Sequence, residues 1–221
     1  MSNQPEFPRH DVTPGGRIVV LASGAGSTMA AVLRAQTRPA YGARIVAVIS
    51  DVAGAGALVL AKQHGIATAV VSPAEFESRD AWNVALARTV QGFAPDIVLS
   101  AGFMRILGAP FLAQFGGRTV NTHPALLPSF PGAHAVRDAM TYGVKVTGCT
   151  LHVVDSGVDT GPIIAQVPVP VLDGDDQSTL HERIKEAERE LLVGWMPRLA
   201  RGFEVIQGRV HLPPFRGDTI E

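Results

Sequence analysis

The run Arg17-Ile18-Val19-Val20-Leu21-Ala22, followed at once by Ser23-Gly24-Ala25-Gly26-Ser27-Thr28, decides the fold. A near-continuous Ile/Val/Leu stretch without polar alternation predicts a strand covered on both faces, the condition of a strand inside a parallel sheet. The glycine-containing turn then hands the chain to helix formers over Thr28–Gln36. The same unit recurs downstream. Arg44–Ser50 reads as a second buried strand, followed by an Ala/Leu-rich helix through Gln63 that ends at Gly65; Ala67–Val71 reads as a third. Ser78–Gln91 has amphipathic helical spacing with Trp82, Val84, Leu86 and Val90. Asp96–Ser100 is a fourth strand, and Arg118–Thr122 a fifth after a short helix started by Pro110. Strands alternating with helices predict an α/β fold with a doubly wound, mostly parallel sheet.

Beyond Gly143 the texture changes. Val146–Val154 and Ile163–Val171 read as strands around the turn Asp155–Pro162, then a charged helix runs from about Gln177 to Arg201. A pair of short strands, Phe203–Ile206 and Arg209–Leu212, completes an antiparallel extension near the C-terminus. Residues 1–16, with Pro5, Pro8 and Pro14, are expected to be a flexible leader, residues 17–211 one domain, and residues 212–221 a tail. Within the domain, halves of about 17–116 and about 117–211 are expected.

Of the 221 residues, 46% are hydrophobic and the net charge is −1. That gives enough apolar surface for one sizeable core and no basic footprint for nucleic acid or an anionic membrane. No apolar run reaches membrane-spanning length and no signal-peptide pattern opens the chain, so a cytoplasmic protein is expected. The single cysteine, Cys149, cannot form an internal disulfide and reads as a small buried residue.

The chemistry-bearing residues cluster in a few segments. Asn121 and His123 stand two apart at the end of a strand that Pro124 stops, so both side chains point to one face. Open α/β sheets place their ligands at this carboxyl edge. Asp159, in Asp155-Ser156-Gly157-Val158-Asp159-Thr160-Gly161-Pro162, lies on a loop able to curl back to that pair. An amide, an imidazole and an acid suit acyl transfer, in which a carbonyl oxygen gains charge while protons move. Asp155 reads as shaping its own turn.

Gly24–Thr28 is a candidate phosphate cradle, because glycines let backbone N–H groups approach an anion at a helix N-terminus. It lacks the lysine of a Walker loop and the third glycine of the dinucleotide fingerprint. Asp51, after the second strand, stands where a ribose-binding acid would, which keeps a nicotinamide-type rival open. Gly102-Phe103-Met104-Arg105-Ile106-Leu107 is an apolar loop able to line a pocket for a flat ligand, or to pack under the sheet with Arg105 solvated. His134 is a candidate substrate contact, whereas His152, inside a strand, reads as structural. Lys185 and Glu188 lie three apart on the late helix and share a face, in isolation a solvated one. No His/Asp/Cys set has metal-ligand spacing.

Together these segments resemble the phosphoribosylglycinamide formyltransferase family of purine biosynthesis, from about Arg17 to Arg209. The resemblance is carried by Gly24–Thr28, Ala101–Leu107, Asn121–Pro128, Phe130-Pro131-Gly132 and Asp159–Pro162. It implies a Rossmann-like formyltransferase fold with catalytic Asn121, His123 and Asp159. The phosphoribosyl substrate would meet Gly24, Ala25, Gly26, Ser27 and Thr28, together with Lys185 and Glu188. Folate would meet Arg79, Met104, Arg105, Ile106, Leu107, Val154 and Asp155. The first half of the domain would then bind phosphate and the second carry catalysis and folate. The co-substrate implied is 10-formyltetrahydrofolate, with no metal; the partners implied are small molecules, not nucleic acid or membrane, and a homodimer is left open. Two departures stand out: Ala25 and Thr28 replace asparagines common in the family, and Ala125 replaces serine.

The implied reaction is direct attack of the glycinamide amine on the formyl carbon. Methionyl-tRNA formyltransferase normally adds a tRNA-binding domain, and formyltetrahydrofolate deformylase a regulatory one, for which the chain has no room. The deformylase and a non-catalytic Rossmann-type nucleotide-binding module remain the alternatives.

Overall fold

Ile18, Val20 and Ala22 point to one side of the first strand and Val19 and Leu21 to the other, and all five are fully buried. A strand with no wet face must lie inside a sheet with helices on both sides. The computed structural model, which describes residues 15–213, has that arrangement. The chain runs β1 (Gly16–Leu21), α1 (Ser27–Ala35), β2 (Ala43–Ser50), α2 (Gly56–Gln63), β3 (Ala67–Val70), α3 (Arg79–Gly92), β4 (Ile97–Ser100), α4 (Ala109–Phe115) and β5 (Thr119–His123). It continues through α5 (Ala135–Tyr142), β6 (Val146–Val153), β7 (Ile163–Pro170), α6 (Gln177–Leu199) and the hairpin β8 (Glu204–Ile206) and β9 (Arg209–His211). The leader and tail expected from the sequence fall, apart from residues 15–16 and 212–213, outside the described residues.

The seven-stranded sheet has the order β3-β2-β1-β4-β5-β6-β7. Strands β1 to β5 are parallel, while β6 pairs antiparallel with both β5 and β7. The doubly wound, mostly parallel sheet and its antiparallel extension are therefore both present, the β8–β9 hairpin being a separate small sheet.

Packing follows strand parity. Met29, Val32 and Leu33 of α1, Leu58 of α2, Val136 of α5 and Leu180, Ile184 and Leu192 of α6 pack with Ile18, Val20, Leu99, Val120 and Leu151 on one face. Trp82, Leu86 and Val90 of α3 and Phe111 and Phe115 of α4 pack with Val19, Leu21, Ile49 and Val98 on the other. Parity is broken within β2: Ile45 and Val48 belong to the first cluster, although they are an odd number apart, and Ala47 and Ile49 to the second. The register slips there, Ile18 pairing with Ile45 but Val19 with Ala47, and the extra residue switches the faces.

The sequence reading did not single out α5. Its signal was present: Ala135, Val136, Ala139 and Met140 make a helical stripe, and Gly143 closes it with φ 84°. No helix of the described residues is long and apolar enough to cross a membrane.

Strand order reverses between β1 and β4, so the loops following these strands part there and open a crevice at the carboxyl edge. Leu21 pairs with Ser100, and Ser100 with Asn121, which places the ends of β1, β4 and β5 side by side.

Candidate active site

Asn121 and His123 share a face of β5, as the two-residue period requires. What faces them across the sheet depends on β6, whose antiparallel register sets His152 opposite Asn121 and Thr150 opposite His123. Asn121 Nδ2 lies 3.2 Å from His152 Nε2, and His152 Nδ1 lies 3.1 Å from the Val153 carbonyl. A carbonyl only accepts, so the proton sits on Nδ1 and Nε2 accepts from the Asn121 amide. Burial pushes the His152 pKa down, against the pull of the Val153 carbonyl and Asp159, which keeps the ring neutral in this role.

The same logic applies to His123, which is 4% exposed. Its Nε2 donates to the Phe130 carbonyl at 2.8 Å, leaving Nδ1 facing Asp159 Oδ2 at 3.2 Å. The other oxygen of Asp159 is 3.6 Å from His152 Nε2. Gly132 N–H donates to Asp159 Oδ2 at 2.8 Å. The expected Asn121, His123 and Asp159 thus converge, with His152 as a fourth member that the sequence reading set down as structural. The missed signal was register, because His152 joins the group only through its pairing with Asn121.

Two backbone distortions hold this geometry. Phe130 and Asp159 both sit at positive φ, 55° and 56°, an uncommon state for side-chain-bearing residues that the surroundings must enforce. The loop after β5 is enforced by Thr150, fully buried, whose hydroxyl donates to Ala125 O at 2.6 Å and accepts from Leu127 N–H and Gln166 Nε2 at 3.0 Å. Gln166 also donates to Leu127 O at 2.9 Å. The loop carrying Asp159 is pinched where Val153 N–H meets Pro162 O at 2.9 Å, and a Cβ at Gly161 would collide with the Val153 carbonyl. Asp155 receives Gly157 N–H at 3.1 Å and the Thr160 hydroxyl at 2.7 Å, so its carboxylate shapes the turn. Its expected folate contact has to share that carboxylate.

The Gly24–Thr28 segment leads into α1, whose first-turn N–H groups have no helical acceptors. Gly26 needs its glycine for the fold as well as for any anion: it has φ 77°, and a Cβ would lie 2.9 Å from both Cα and Cβ of Ala57. Gly24 has nothing within 4 Å of a Cβ position, so that side of the segment is open.

Beside it the loop after β4 forms a cleft of about 530 Å³ lined by Phe76, Arg79, Trp82, Met104, Arg105 and Ile106, among others. Trp82 stacks on Phe103 behind this wall, with ring centroids 6.3 Å apart. Met104 is 78% exposed and Ile106 51%, and Arg79 donates to the Ile106 carbonyl at 2.9 Å. Two expected contacts differ. Leu107, 5% exposed, belongs to the core beneath α3 and α4, and Val154 is half-buried against that core; neither is among the residues that line the cleft. Arg105 is neither simply solvated nor free, because its Nε bonds to Asp51 Oδ2 at 2.7 Å. The other Asp51 oxygen accepts from Ser23 Oγ at 2.6 Å and the residue is 5% exposed, so Asp51 is turned to internal partners and is not presented to a ribose, which weighs against a nicotinamide reading.

On α6 the expected pair divides. Lys185 Nζ reaches Glu182 Oε1 at 2.7 Å, whereas Glu188 is 6% exposed and hydrogen-bonds Thr122, between Asn121 and His123. Burial raises the Glu188 pKa, offset in part by Thr122 and Lys185. A solvated reading of both residues therefore fails for Glu188. His134 is exposed at the start of α5. Cys149 is fully buried as expected, and burial together with the Glu188 charge pushes its thiol up to about 12. Among the described residues no group of three or more His, Cys, Asp or Glu is placed to hold a metal ion.

Residues 16–196 match the model of the formyl transferase family. The chain is 55% identical over 193 residues to phosphoribosylglycinamide formyltransferase of Mycobacterium tuberculosis (strain ATCC 25618 / H37Rv), covering 87% of this chain and 89% of that protein. Its fold superposes on glycinamide ribonucleotide transformylase 1 from Symbiobacterium toebii with a TM-score of 0.87 at 40% identity, covering 90% and 95% of the two chains. For phosphoribosylglycinamide formyltransferase from Brucella melitensis the TM-score is 0.80 at 44% identity, covering 85% and 97%.

Proposed function

The chain belongs to the formyl transferase family, and on that premise we propose that it is a phosphoribosylglycinamide formyltransferase of purine biosynthesis that takes its formyl group from 10-formyltetrahydrofolate. The observation that carries this reading is the convergence of Asn121, His123, His152 and Asp159 at the carboxyl edge, beside the ends of β1 and β4.

The donor fits the cleft by chemistry. Phe76, Met104 and Ile106 offer an apolar slot for a flat ring system, and Arg79 a cation at the rim for an acidic tail. The acceptor's phosphate fits the N–H groups of Gly24–Thr28, and Lys185 and Glu188 on α6 lie on the opposite side of β5 from Asn121. Its amine then attacks the formyl carbon directly, forming the C–N bond as N10 of the donor departs.

Charge gathers on the formyl oxygen in the transition state. Asn121 has a second amide N–H besides the one held by His152, and it serves as a fixed donor. The Nε2–H of His123, held at rest by the neutral Phe130 carbonyl, exchanges that acceptor for the more strongly accepting oxyanion. Asp159, whose Oδ2 lies 3.2 Å from His123 Nδ1 and is fixed by Gly132 N–H, is the group placed to receive the amine proton, directly or through water, for delivery to N10. His152 keeps the Asn121 amide turned toward the reacting oxygen.

The test is a mixture of purified protein, formyl donor and phosphoribosyl acceptor, followed by the absorbance of the deformylated folate. Turnover that requires the acceptor supports the assignment. Equal consumption of donor without acceptor makes the protein a hydrolase instead.

A further inference from the structure

Asp51 takes no part in the reaction proposed above, yet it is 5% exposed and both of its carboxylate oxygens are bonded. A buried carboxylate is costly unless it is fully paired, so its partners show what its position serves. One is Ser23 Oγ at 2.6 Å, immediately before the Gly24–Thr28 cradle. The other is Arg105 Nε at 2.7 Å, in the wall of the cleft. Ser23 also closes a triangle, because its hydroxyl accepts from Met104 N–H at 2.9 Å while its own N–H donates to Gly102 O at 3.1 Å.

These bonds join segments 28, 54 and 81 residues apart in sequence. They do so at the switch point, where the loops after β1 and β4 part beyond their last backbone bond, Ser23 N–H to Gly102 O. We propose that Asp51 is a positioning residue: with Ser23 it ties the anion cradle to the cleft wall, so that acceptor and donor meet at one fixed separation. A displacement of about 1 Å between two reactants can cost ~10²-fold in rate, which gives such a tie a kinetic purpose. Arg105 is held by Nε alone, and with its side chain half exposed it presents its remaining N–H groups to the cleft.

The inference rests on the assignment of cradle and cleft to the two substrates, but its first test needs neither. In Asp51→Asn the amide would keep an oxygen for Ser23 and set an N–H against the Arg105 guanidinium, breaking the bridge. Hydrogen exchange of the substrate-free protein should then accelerate about tenfold or more in segments 23–28 and 102–107, with β1 and β4 still protected. Ser23→Ala, which carries the test if the first variant does not fold, should free the same two segments. Because Ser23→Ala removes both the Asp51 link and the direct Met104 contact, the double variant should exchange no faster than Ser23→Ala alone. In the assay KM for donor and acceptor should both rise about three- to tenfold, with a smaller fall in kcat. Unchanged exchange in either segment, additive effects of the two substitutions, or freed loops with both KM values at wild-type level would each overturn the proposal. A wild-type protein without transfer activity would instead overturn the assigned reaction, and the exchange result would still decide the tie.

Discussion

Replacing each glycine of the cradle separately distinguishes an anion site from a tight turn. Gly26→Val places a β-branched residue at φ 77°, which costs ~1–2 kcal/mol. Its Cβ would also lie 2.9 Å from Ala57 in α2, and overpacking of that kind costs ~1–3 kcal/mol. The sum, roughly 2–5 kcal/mol, lowers Tm by roughly 4–20 °C at ~2–4 °C per kcal/mol for a domain of this size. Gly26→Val therefore reports on the fold, whatever binds there. Gly24→Val reports on the ligand: nothing lies within 4 Å of its Cβ position, and its φ is not in the left-handed region. It should leave Tm within about 2 °C of wild type, since substitutions away from packed sites stay within ~0.5 kcal/mol. The new methyl groups would stand before the N–H groups that meet the acceptor's phosphate. Losing one charge-assisted hydrogen bond costs ~1.5–3 kcal/mol, so acceptor KM should rise roughly 10- to 150-fold while donor KM stays within about twofold. Thermal melts and both KM values on the same preparations provide the assay. A stable Gly24→Val protein with unchanged acceptor KM would refute the cradle, and a Gly26→Val protein melting with wild type would refute the steric argument.

His123→Ala and Asp159→Asn should each lower kcat at least about a hundredfold with the melt preserved, since acid–base and oxyanion groups contribute ~10²–10⁴ each; near-normal turnover removes that residue from the mechanism. Thr150→Val should destabilise by about 2–4 kcal/mol in denaturant titration and lower turnover, because it strands buried groups of Leu127 and Ala125 and loosens the loop that holds His123. Glu188 gives a pH signature. Its pKa is higher in the fold than in the unfolded chain, so the native state binds more protons across that interval and stability falls as pH rises through it. Glu188→Gln should therefore melt a few degrees above wild type at pH 7 and lose the advantage near pH 4, below the ordinary carboxylate pKa of ~4.3; an advantage independent of pH would contradict this. His152 acts in the opposite sense: its lowered pKa makes the unfolded state bind more protons below ~6.5, so stability is lost on acidification. His152→Gln should flatten the wild-type melting profile between pH 6.5 and 5, and an unchanged slope would show that another group sets it.

Much of the architecture was legible in local pattern. Whether a strand is covered on one face or two is written in its alternation, so the unbroken run Ile18–Ala22 announced an interior strand before any partner was known. Period two was enough to put Asn121 and His123 on one face, and Pro124 to mark the strand's end. The sequence alone also singled out Asp159 and a cradle at Gly24–Thr28, because turn and cap chemistry is local. Only the tertiary structure decided what these residues meet. His152 enters the site through the β5–β6 register, 31 residues from Asn121, and a slip of one position would have turned it away. Asp51 looked like a ribose acid from its place after β2, until Ser23 and Arg105 were found on its two oxygens. Glu188 shares a helical face with Lys185, but the packing of α6 on the sheet buries one and leaves the other at the surface. Gly26 could be read as flexible in sequence and is confined by Ala57 in space. Conformational preference belongs to a residue and its neighbours along the chain, whereas desolvation, pairing and steric confinement belong to whatever folding brings against it.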